Sequence, residues 1–198
     1  GDLLIKPNLI TKNELKPIYD VILLACKSYN LKEAIADLEP LNGNEIIIPF
    51  LNGQTHLQKL DNHFSKKNIY GGVAYISSNM NADGVIEHVG TSNKITFGSR
   101  DGENSDLIKD FYKRCIKTKF DASLSNNIDQ DIWEKWIFIA TIAGATTLFK
   151  TSLNRKNMLR EGTEFLMGIF DECCQISKLN GFEIRDEVKN NYNSFFVD

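Results

Sequence analysis

Two short apolar runs joined by one helical segment constrain the fold of this chain more than any other feature. The first run, 20–26, reads Asp-Val-Ile-Leu-Leu-Ala-Cys, and the second, 45–50, reads Glu-Ile-Ile-Ile-Pro-Phe. Strands that are buried on both faces of a parallel sheet have this near-continuous apolar composition. Residues 31–38 between them have helical spacing, with Asn30 before the helix and Pro40 after it. We therefore predict a strand–helix–strand unit with a right-handed parallel crossover, which belongs to the α/β class.

The rest of residues 1–126 is also a mixture of strand and helix patterns, whereas residues 127–198 are helical only. The predicted elements are a helix at 54–64, strands at 69–77, 85–89 and 94–97, a helix at 105–116, a strand at 119–123, and long helices from 128 and at 163–179. Asp83-Gly84 predicts a turn between two strands. The polar joint at 125–127 is the best domain boundary. We therefore predict the remainder of a Rossmann-type domain at 1–126, followed by an incomplete all-helical domain at 127–198.

Composition and charge exclude several classes of protein. The 198 residues include 23 Lys and Arg against 26 Asp and Glu, a net charge of −3, so no overall positive field exists to hold nucleic acid or an anionic membrane. No apolar stretch approaches the ~20 residues of a membrane-spanning helix, and the first residues lack a signal-peptide pattern. The four cysteines and three histidines do not have the spacing of a disulfide framework or a metal site. We therefore predict a cytoplasmic protein with no metal and with no nucleic-acid or membrane partner.

Polar residues that follow the two apolar runs are the first candidates for a binding site. Ligands of open α/β sheets bind beyond the carboxyl ends of the strands. Lys27 follows the first run and is suited to a phosphate or a carboxylate, although an exposed lysine without a ligand explains it equally well. Asn52-Gly53 follows the second run, where a tight turn that needs these residues only for their backbone is the simpler interpretation.

Lys135 is the third candidate because it stands where a helix becomes strongly apolar. It lies between Trp133 and Trp136, and a run of uncharged residues follows it. A lysine at the edge of an apolar surface can extend its ammonium group to water. Alternatively, desolvation lowers its pKa and makes it a general acid near neutral pH. The residues alone favour neither interpretation.

Four blocks of sequence, in the same order and at similar spacing, resemble the ketopantoate reductase family. They are Asp20-Val-Ile-Leu-Leu-Ala-Cys-Lys27-Ser-Tyr29, Pro49-Phe-Leu-Asn52-Gly53, Gly72-Val-Ala74 leading to Asp83-Gly84-Val-Ile-Glu-His88, and Ile132-Trp-Glu-Lys135. One block would be a weak signal, whereas four in register across nearly the whole chain are specific. The family consists of NADPH-dependent 2-dehydropantoate 2-reductases that have an N-terminal dinucleotide-binding domain and a C-terminal helical domain.

The resemblance implies a reaction and a role for each candidate residue. The expected reaction is hydride transfer from NADPH to 2-dehydropantoate or a related 2-oxoacid, of the type used in pantothenate and coenzyme A biosynthesis. Lys27 and Asn52 match residues that line the nicotinamide end of the cofactor crevice, and Lys135 matches the catalytic lysine. That lysine donates a proton to the carbonyl oxygen and supplies a positive charge to the developing alkoxide. The helical domain is the expected surface for a homodimer.

The chain departs from the family pattern in two respects. It has no GxGxxG phosphate loop, so we expect a fragment that begins after the first strand, first helix and second strand of the family, ends before its last segment, and is inactive alone. Ile139 and Ala143 stand where the family has asparagines that hold the 2-oxoacid. A related hydroxyacid dehydrogenase and a non-catalytic fragment for ligand binding or dimerisation therefore remain as alternatives.

Overall fold

The computed structural model describes residues 4–41, 43–150 and 160–197, which form an α/β part followed by a helical part, as predicted. The strands are β1 (Val21–Leu24), β2 (Ile46–Pro49), β3 (Gly71–Met80), β4 (Ile86–Gly98) and β5 (Asp121–Leu124). The helices are α1 (Leu31–Leu38), α2 (Thr55–Asp61), α3 (Asp106–Cys115), α4 (Ile128–Phe149), α5 (Arg160–Leu179) and α6 (Asp186–Val197). Within these ranges, no helix combines the length and the apolar character needed to cross a membrane.

The predicted strand–helix–strand unit is confirmed. β1 and β2 pair in parallel, with Val21 opposite Ile46 and Leu24 opposite Pro49, and α1 connects them. β2 is buried along its whole length, which explains its isoleucine-rich composition. One side of α1 is buried against the same core through Leu31, Ile35 and Leu38.

Residues 71–98 form a long antiparallel hairpin that the sequence predicted only in pieces. β3 extends to residue 80 rather than 77, and β4 is one strand where two short strands, at 85–89 and 94–97, were expected. β4 continues through its polar middle because β3 pairs with it on both sides of a bulge between Ile76 and Ser78. The turn at Asp83-Gly84 is confirmed, and Gly84 has φ +78°. β5 then pairs in parallel with β4.

Helix α2 ends earlier than the predicted 54–64, at Asp61. The amide of Asn62 still donates to the Gln58 carbonyl, and the amides of His63 and Phe64 both donate to the Leu60 carbonyl. The helical spacing of the sequence therefore extends into a final irregular turn that no longer counts as helix.

The helical part has its own apolar core, and α4 contributes a buried stripe to it. Ile137, Thr141 and Ala145 on α4 are almost completely buried, and side chains from α5 and α6 pack against them. Trp136, by contrast, is only half-buried. The cause is its position on the flank of the stripe, one residue before Ile137 and about 100° away around the helix.

The start of α4 packs directly on the start of β3 because Gly71 has no side chain. A Cβ atom at Gly71 would lie 2.6 Å from Cγ1 of Ile128 and 2.9 Å from Cδ1 of Ile132. Arg100, just after β4, links the start of α4 to α2, because it pairs with Asp61 on α2 and with Asp129 on α4 at N–O distances of 2.8 and 3.5 Å. The close approach fixes where the next turn of α4 meets β3.

Candidate active site

Lys27 and Asn52 lie at the same end of the parallel strand pair. β1 and β2 are paired as far as Leu24 and Pro49, and Lys27 and Asn52 each follow three residues later. Both side chains are exposed, and neither forms a hydrogen bond or an ion pair with any residue in the described ranges. Gly53 has φ +83°, so the turn after Asn52 does have a backbone reason for its glycine. An uncommitted cation and an uncommitted amide therefore stand beyond the carboxyl ends of the two strands.

β3 brings a third element to this end of the sheet. Ile69, two residues before β3, forms a parallel bridge with Ile47 of β2. Asn52 is five residues after Ile47 in the sequence, and Ala74 is five residues after Ile69. Ala74 is also the residue that binds Lys135, because Lys135 Nζ donates a hydrogen bond to its carbonyl oxygen. The structure thus places Lys27 and Asn52 beyond the paired ends of β1 and β2, and Lys135 against β3, the strand that follows the Ile47–Ile69 bridge.

Uncharged groups hold the Lys135 ammonium. Besides the Ala74 carbonyl, its neighbour is the Tyr75 ring, whose centroid lies 5.4 Å from Nζ. The side chain is half-buried, and it has no carboxylate partner in the part of the chain that the structure describes. Burial lowers the pKa of Lys135 below its ordinary value because the charged form loses hydration. A carbonyl oxygen and an aromatic face replace part of that hydration without neutralising the charge.

Glu134, the neighbour of Lys135 in sequence, has a separate set of partners. Its side chain is 2% exposed, and Oε1 accepts hydrogen bonds from Gln130 Nε2 at 2.9 Å and from the backbone amide of Arg185 at 3.0 Å. The Arg185 guanidinium also pairs with Glu134 and with Asp131, and its hydrogen bond to Glu134 is the main reason that the pKa of Arg185 is raised. This cluster ties α4 to the segment that precedes α6.

An aromatic contact joins the sheet to α6 beside Lys135. The hydroxyl groups of Tyr75 and Tyr192 interact, and burial raises the pKa of both phenols, so both are neutral near pH 7. The Tyr192 ring packs on Phe138, with 4.8 Å between centroids, and lies 6.4 Å from the Phe170 ring. The Tyr75 side chain is therefore held between β3 and the helical core.

The side of α4 that carries Lys135 is apolar beyond it. Because α4 is one continuous helix, Ile139 and Ala143 lie one and two turns after Lys135 on the same side. Ile139 is half-buried and Ala143 is exposed. A ligand that reaches from Lys135 along this helix meets methyl groups rather than amides.

Lys135 is a candidate from the sequence, but the groups that hold it are not. Ala74 contributes only a backbone atom, and Arg185 lies 51 residues from its partner Glu134, so no local pattern reveals either contact. The Gly71-Gly72 pair was the available signal, since paired glycines in a strand indicate a close approach of another backbone or helix. Among the described residues, no group of three or more His, Cys, Asp and Glu side chains is arranged to hold a metal ion.

Comparison with known proteins gives two family matches and several relatives. Residues 1–102 match the family described as ketopantoate reductase PanE/ApbA, and residues 127–197 match the C-terminal region of the same family. A Bacillus subtilis protein, uncharacterized oxidoreductase YkpB, is 33% identical over 182 residues, which are 91% of this chain and 60% of that protein. A 2-dehydropantoate 2-reductase from Lactococcus lactis is 22% identical over 166 residues, 83% of this chain and 53% of that protein.

Solved structures with the same fold include two kinds of dehydrogenase. A 2-dehydropantoate 2-reductase from Porphyromonas gingivalis superposes with a TM-score of 0.77 at 23% identity, covering 89% of this chain and 61% of that one. A D-mandelate dehydrogenase with NADH and anilino(oxo)acetate also gives 0.77, at 19% identity, covering 94% and 61%. The chain spans 53% to 61% of the length of these four proteins. By its two family matches, the chain belongs to the ketopantoate reductase family.

Proposed function

We propose that this chain is the part of an NAD(P)-dependent 2-oxoacid reductase that contributes the proton donor, Lys135. The observation that carries the proposal is the half-buried ammonium group of Lys135, which has a carbonyl and an aromatic ring as partners and no carboxylate among the described residues. An ammonium group in this setting is available to a substrate because no ion pair must be broken first. Membership of the family supports the reaction class.

Lys27 and Asn52 fit the nicotinamide end of the cofactor, which supplies the hydride. Both side chains are exposed and uncommitted at the carboxyl ends of β1 and β2, where dinucleotides bind in this class of sheet. The Lys27 ammonium is suited to a phosphate or a carboxylate, and the Asn52 amide both donates and accepts hydrogen bonds. NADPH is the form that the family resemblance implies, whereas the D-mandelate dehydrogenase structure contains NADH, so both cofactors belong in the test.

Lys135 performs the proton transfer in this scheme. Its ammonium group donates a hydrogen bond to the carbonyl oxygen of the 2-oxoacid, which draws electrons from the carbon that accepts the hydride. As charge develops on that oxygen, the proton moves from Nζ to the oxygen and leaves a neutral amine and a hydroxyacid. A lowered pKa makes this transfer less uphill than it is for an exposed lysine.

The substrate in this proposal is 2-dehydropantoate or a related 2-oxoacid. The Lactococcus lactis relative is a 2-dehydropantoate 2-reductase, which supports the first. Ile139 and Ala143 support a related, apolar 2-oxoacid, because their side chains offer no hydrogen bonds to a hydroxylated substrate. With such a substrate the protein is a related hydroxyacid dehydrogenase. A role in pantothenate and coenzyme A biosynthesis follows only with the first substrate.

A homodimer through the helical part is the corresponding proposal for assembly. Large apolar side chains on α4 and α5 are exposed, among them Leu148 at 60% and Leu179 at 87%. Exposed apolar groups on neighbouring helices favour association with a second apolar surface. A ketopantoate reductase from Staphylococcus aureus with this fold is described as dimeric.

Steady-state kinetics of the full-length protein test the proposed reaction. Oxidation of NADPH and NADH is followed with 2-dehydropantoate and with a series of branched and aromatic 2-oxoacids. We expect Lys135→Ala to lower kcat by about 100-fold or more with little change in cofactor affinity, because the proton moves only in the transition state. Lys27→Ala is expected to weaken cofactor or substrate binding more than kcat, since an exposed cation acts mainly by attraction.

Lys178→Ala is the matched control. Lys178 is also on a helix of the helical part, but it is exposed and pairs with the exposed Glu183. We expect its kinetics to equal those of the unmodified protein. A near-normal kcat for Lys135→Ala contradicts the proton-donor role, and the absence of NAD(P)H oxidation with every 2-oxoacid favours the non-catalytic alternative.

A further inference from the structure

We propose that Tyr75 is a positioning residue for Lys135: its ring face and the Ala74 carbonyl together hold the ammonium group between β3 and α4. The proposal concerns how the proton donor is placed, and its catalytic consequence rests on the proposed function. Tyr75 is not part of the sequence-predicted site, and its hydroxyl group is directed to Tyr192 rather than to the lysine. The ring is therefore the part of Tyr75 that acts on Lys135.

The geometry meets the requirements of a cation–π contact. Lys135 Nζ lies 5.4 Å from the centroid of the Tyr75 ring, within the ~6 Å at which the negative face of a ring attracts a cation. The lysine is half-buried, so water competes less with this attraction than it does at the surface. The hydrogen bond from Nζ to the Ala74 carbonyl fixes the ammonium on the residue that precedes Tyr75, which keeps it over the ring.

The ring itself is held from the opposite side. Tyr192 on α6 contacts the Tyr75 hydroxyl group, and Tyr192 packs against Phe138 of α4. The charged groups that influence the Tyr75 phenol are Asp131, Glu134 and Arg185, and both carboxylates pair with the Arg185 guanidinium. The Lys135 ammonium is consequently left with neutral partners from β3.

A shape-matched series at position 75 separates the ring from the bulk of the side chain. Tyr75→Phe keeps the ring and removes the hydroxyl group, whereas Tyr75→Leu keeps an apolar cover and removes the ring. The readout is the pKa of Lys135 in this 198-residue chain, measured by trace labelling with acetic anhydride across pH and mass spectrometry of the peptide that contains Lys135. This measurement needs neither cofactor nor substrate.

We expect Tyr75→Phe to leave the Lys135 pKa within a few tenths of a unit of the original. Tyr75→Leu should lower it by about half a unit to one and a half units, because the charged form loses the ring face while the site stays apolar. If Tyr75→Leu does not fold, as judged by circular dichroism, pentafluorophenylalanine at position 75 replaces it, since that ring has nearly the same shape and a reversed charge distribution. An equal Lys135 pKa in the phenylalanine protein and in the ring-lacking or fluorinated protein overturns the proposal.

Kinetics of the full-length protein distinguish this proposal from the proposed function. A general acid is active only when protonated, so kcat falls as pH rises through the pKa of Lys135. In Tyr75→Leu, or in its fluorinated replacement, this alkaline limb should move to lower pH by the same amount as the labelled lysine, while Tyr75→Phe restores it. If the labelling shifts but the alkaline limb does not, Tyr75 holds Lys135 as proposed and the proton-donor role of Lys135 is wrong.

Discussion

Removal of the Arg185 side chain should destabilise the protein far more than its exposure suggests. The guanidinium is 53% exposed, but its partner Glu134 is 2% exposed. In Arg185→Ala, the Glu134 carboxylate stays buried with only Gln130 Nε2 and the backbone amide of residue 185 as donors. When an ion pair is broken, most of the free-energy cost comes from the buried charge that has lost its counter-ion. The cost therefore arises on α4 rather than at the mutated position.

The expected loss is about 3 kcal/mol in the free energy of unfolding. Breaking a buried pair by removing one partner costs roughly 3 to 5 kcal/mol. We take the low end because water already screens half of the guanidinium and because two donors to the Glu134 carboxylate remain. The Asp131 carboxylate, which pairs with the same guanidinium, is 17% exposed and regains hydration more readily than Glu134.

Urea unfolding followed by tryptophan fluorescence measures this loss, since Trp133 and Trp136 flank Glu134 on α4. Lys178→Ala is the control, because the Lys178–Glu183 pair joins neighbouring parts of the chain with side chains that are 62% and 67% exposed. Exposed pairs contribute about 0 to 1 kcal/mol. A loss for Arg185→Ala below about 1 kcal/mol, comparable with the control, would refute the reasoning that Glu134 is buried and depends on this partner.

Two further predictions concern stability. Trp136→Ala should lower the free energy of unfolding by about 2 kcal/mol, rather than by the ~3 to 5 kcal/mol of a fully buried tryptophan. The reason is that the ring is half-buried and makes an edge contact with Trp133 at a centroid distance of 5.3 Å. The midpoint of urea unfolding checks this, and a loss above about 4 kcal/mol contradicts it. Burial, with a smaller contribution from Arg100, lowers the pKa of His56 to about 4, and neither ring nitrogen has a partner among the described residues. Between pH 6.5 and 4, the unfolded chain therefore binds a proton at His56 that the folded chain does not bind. The free energy of unfolding should fall by about 3 kcal/mol over this range, and His56→Leu should remove that loss. Equal pH dependence of stability in the two proteins would contradict the prediction.

The sequence predicts the parts of the fold in which burial alone determines the residues. β2 is buried along its whole length, and its run of β-branched isoleucines indicates a buried strand. The hairpin shows the opposite case. Residues 90–92 look like a loop because they are polar and include Gly90, and they have no partner in the β3 register. They belong to β4 because β3 pairs with the residues on both sides of them, at 86–88 and 93–98. Strand pairing depends on a partner elsewhere in the chain, and a local pattern does not contain it.

The same limit applies to the candidate site. Lys27 and Asn52 follow from a rule about strand ends, and the register of β1 and β2 places both at equal distance beyond the paired residues. The roles of Lys27, Asn52 and Lys135, like the domain boundary at 126, stay predictions. Tyr75 could not be found in this way, because its importance comes from a helix that begins more than 50 residues later. A contact between residues so far apart in the sequence leaves no periodic pattern of residue types by which it could be predicted.

Helix geometry explains why Glu134 and Lys135, which are adjacent and opposite in charge, do not pair with each other. Consecutive side chains on a helix are separated by about 100°, so Glu134 and Lys135 do not face each other. Glu134 is directed to Arg185 and Gln130, whereas Lys135 is directed to Ala74 and Tyr75 on β3. Each set of contacts supports the other. The hydrogen bonds of Glu134 to Arg185 and Gln130 fix the rotation of α4 about its axis, and that rotation sets the direction of Lys135. For the two charges to meet, the buried Glu134 carboxylate would have to leave both Arg185 and Gln130. The pairing that keeps Glu134 away from Lys135 is therefore the one that Arg185→Ala removes.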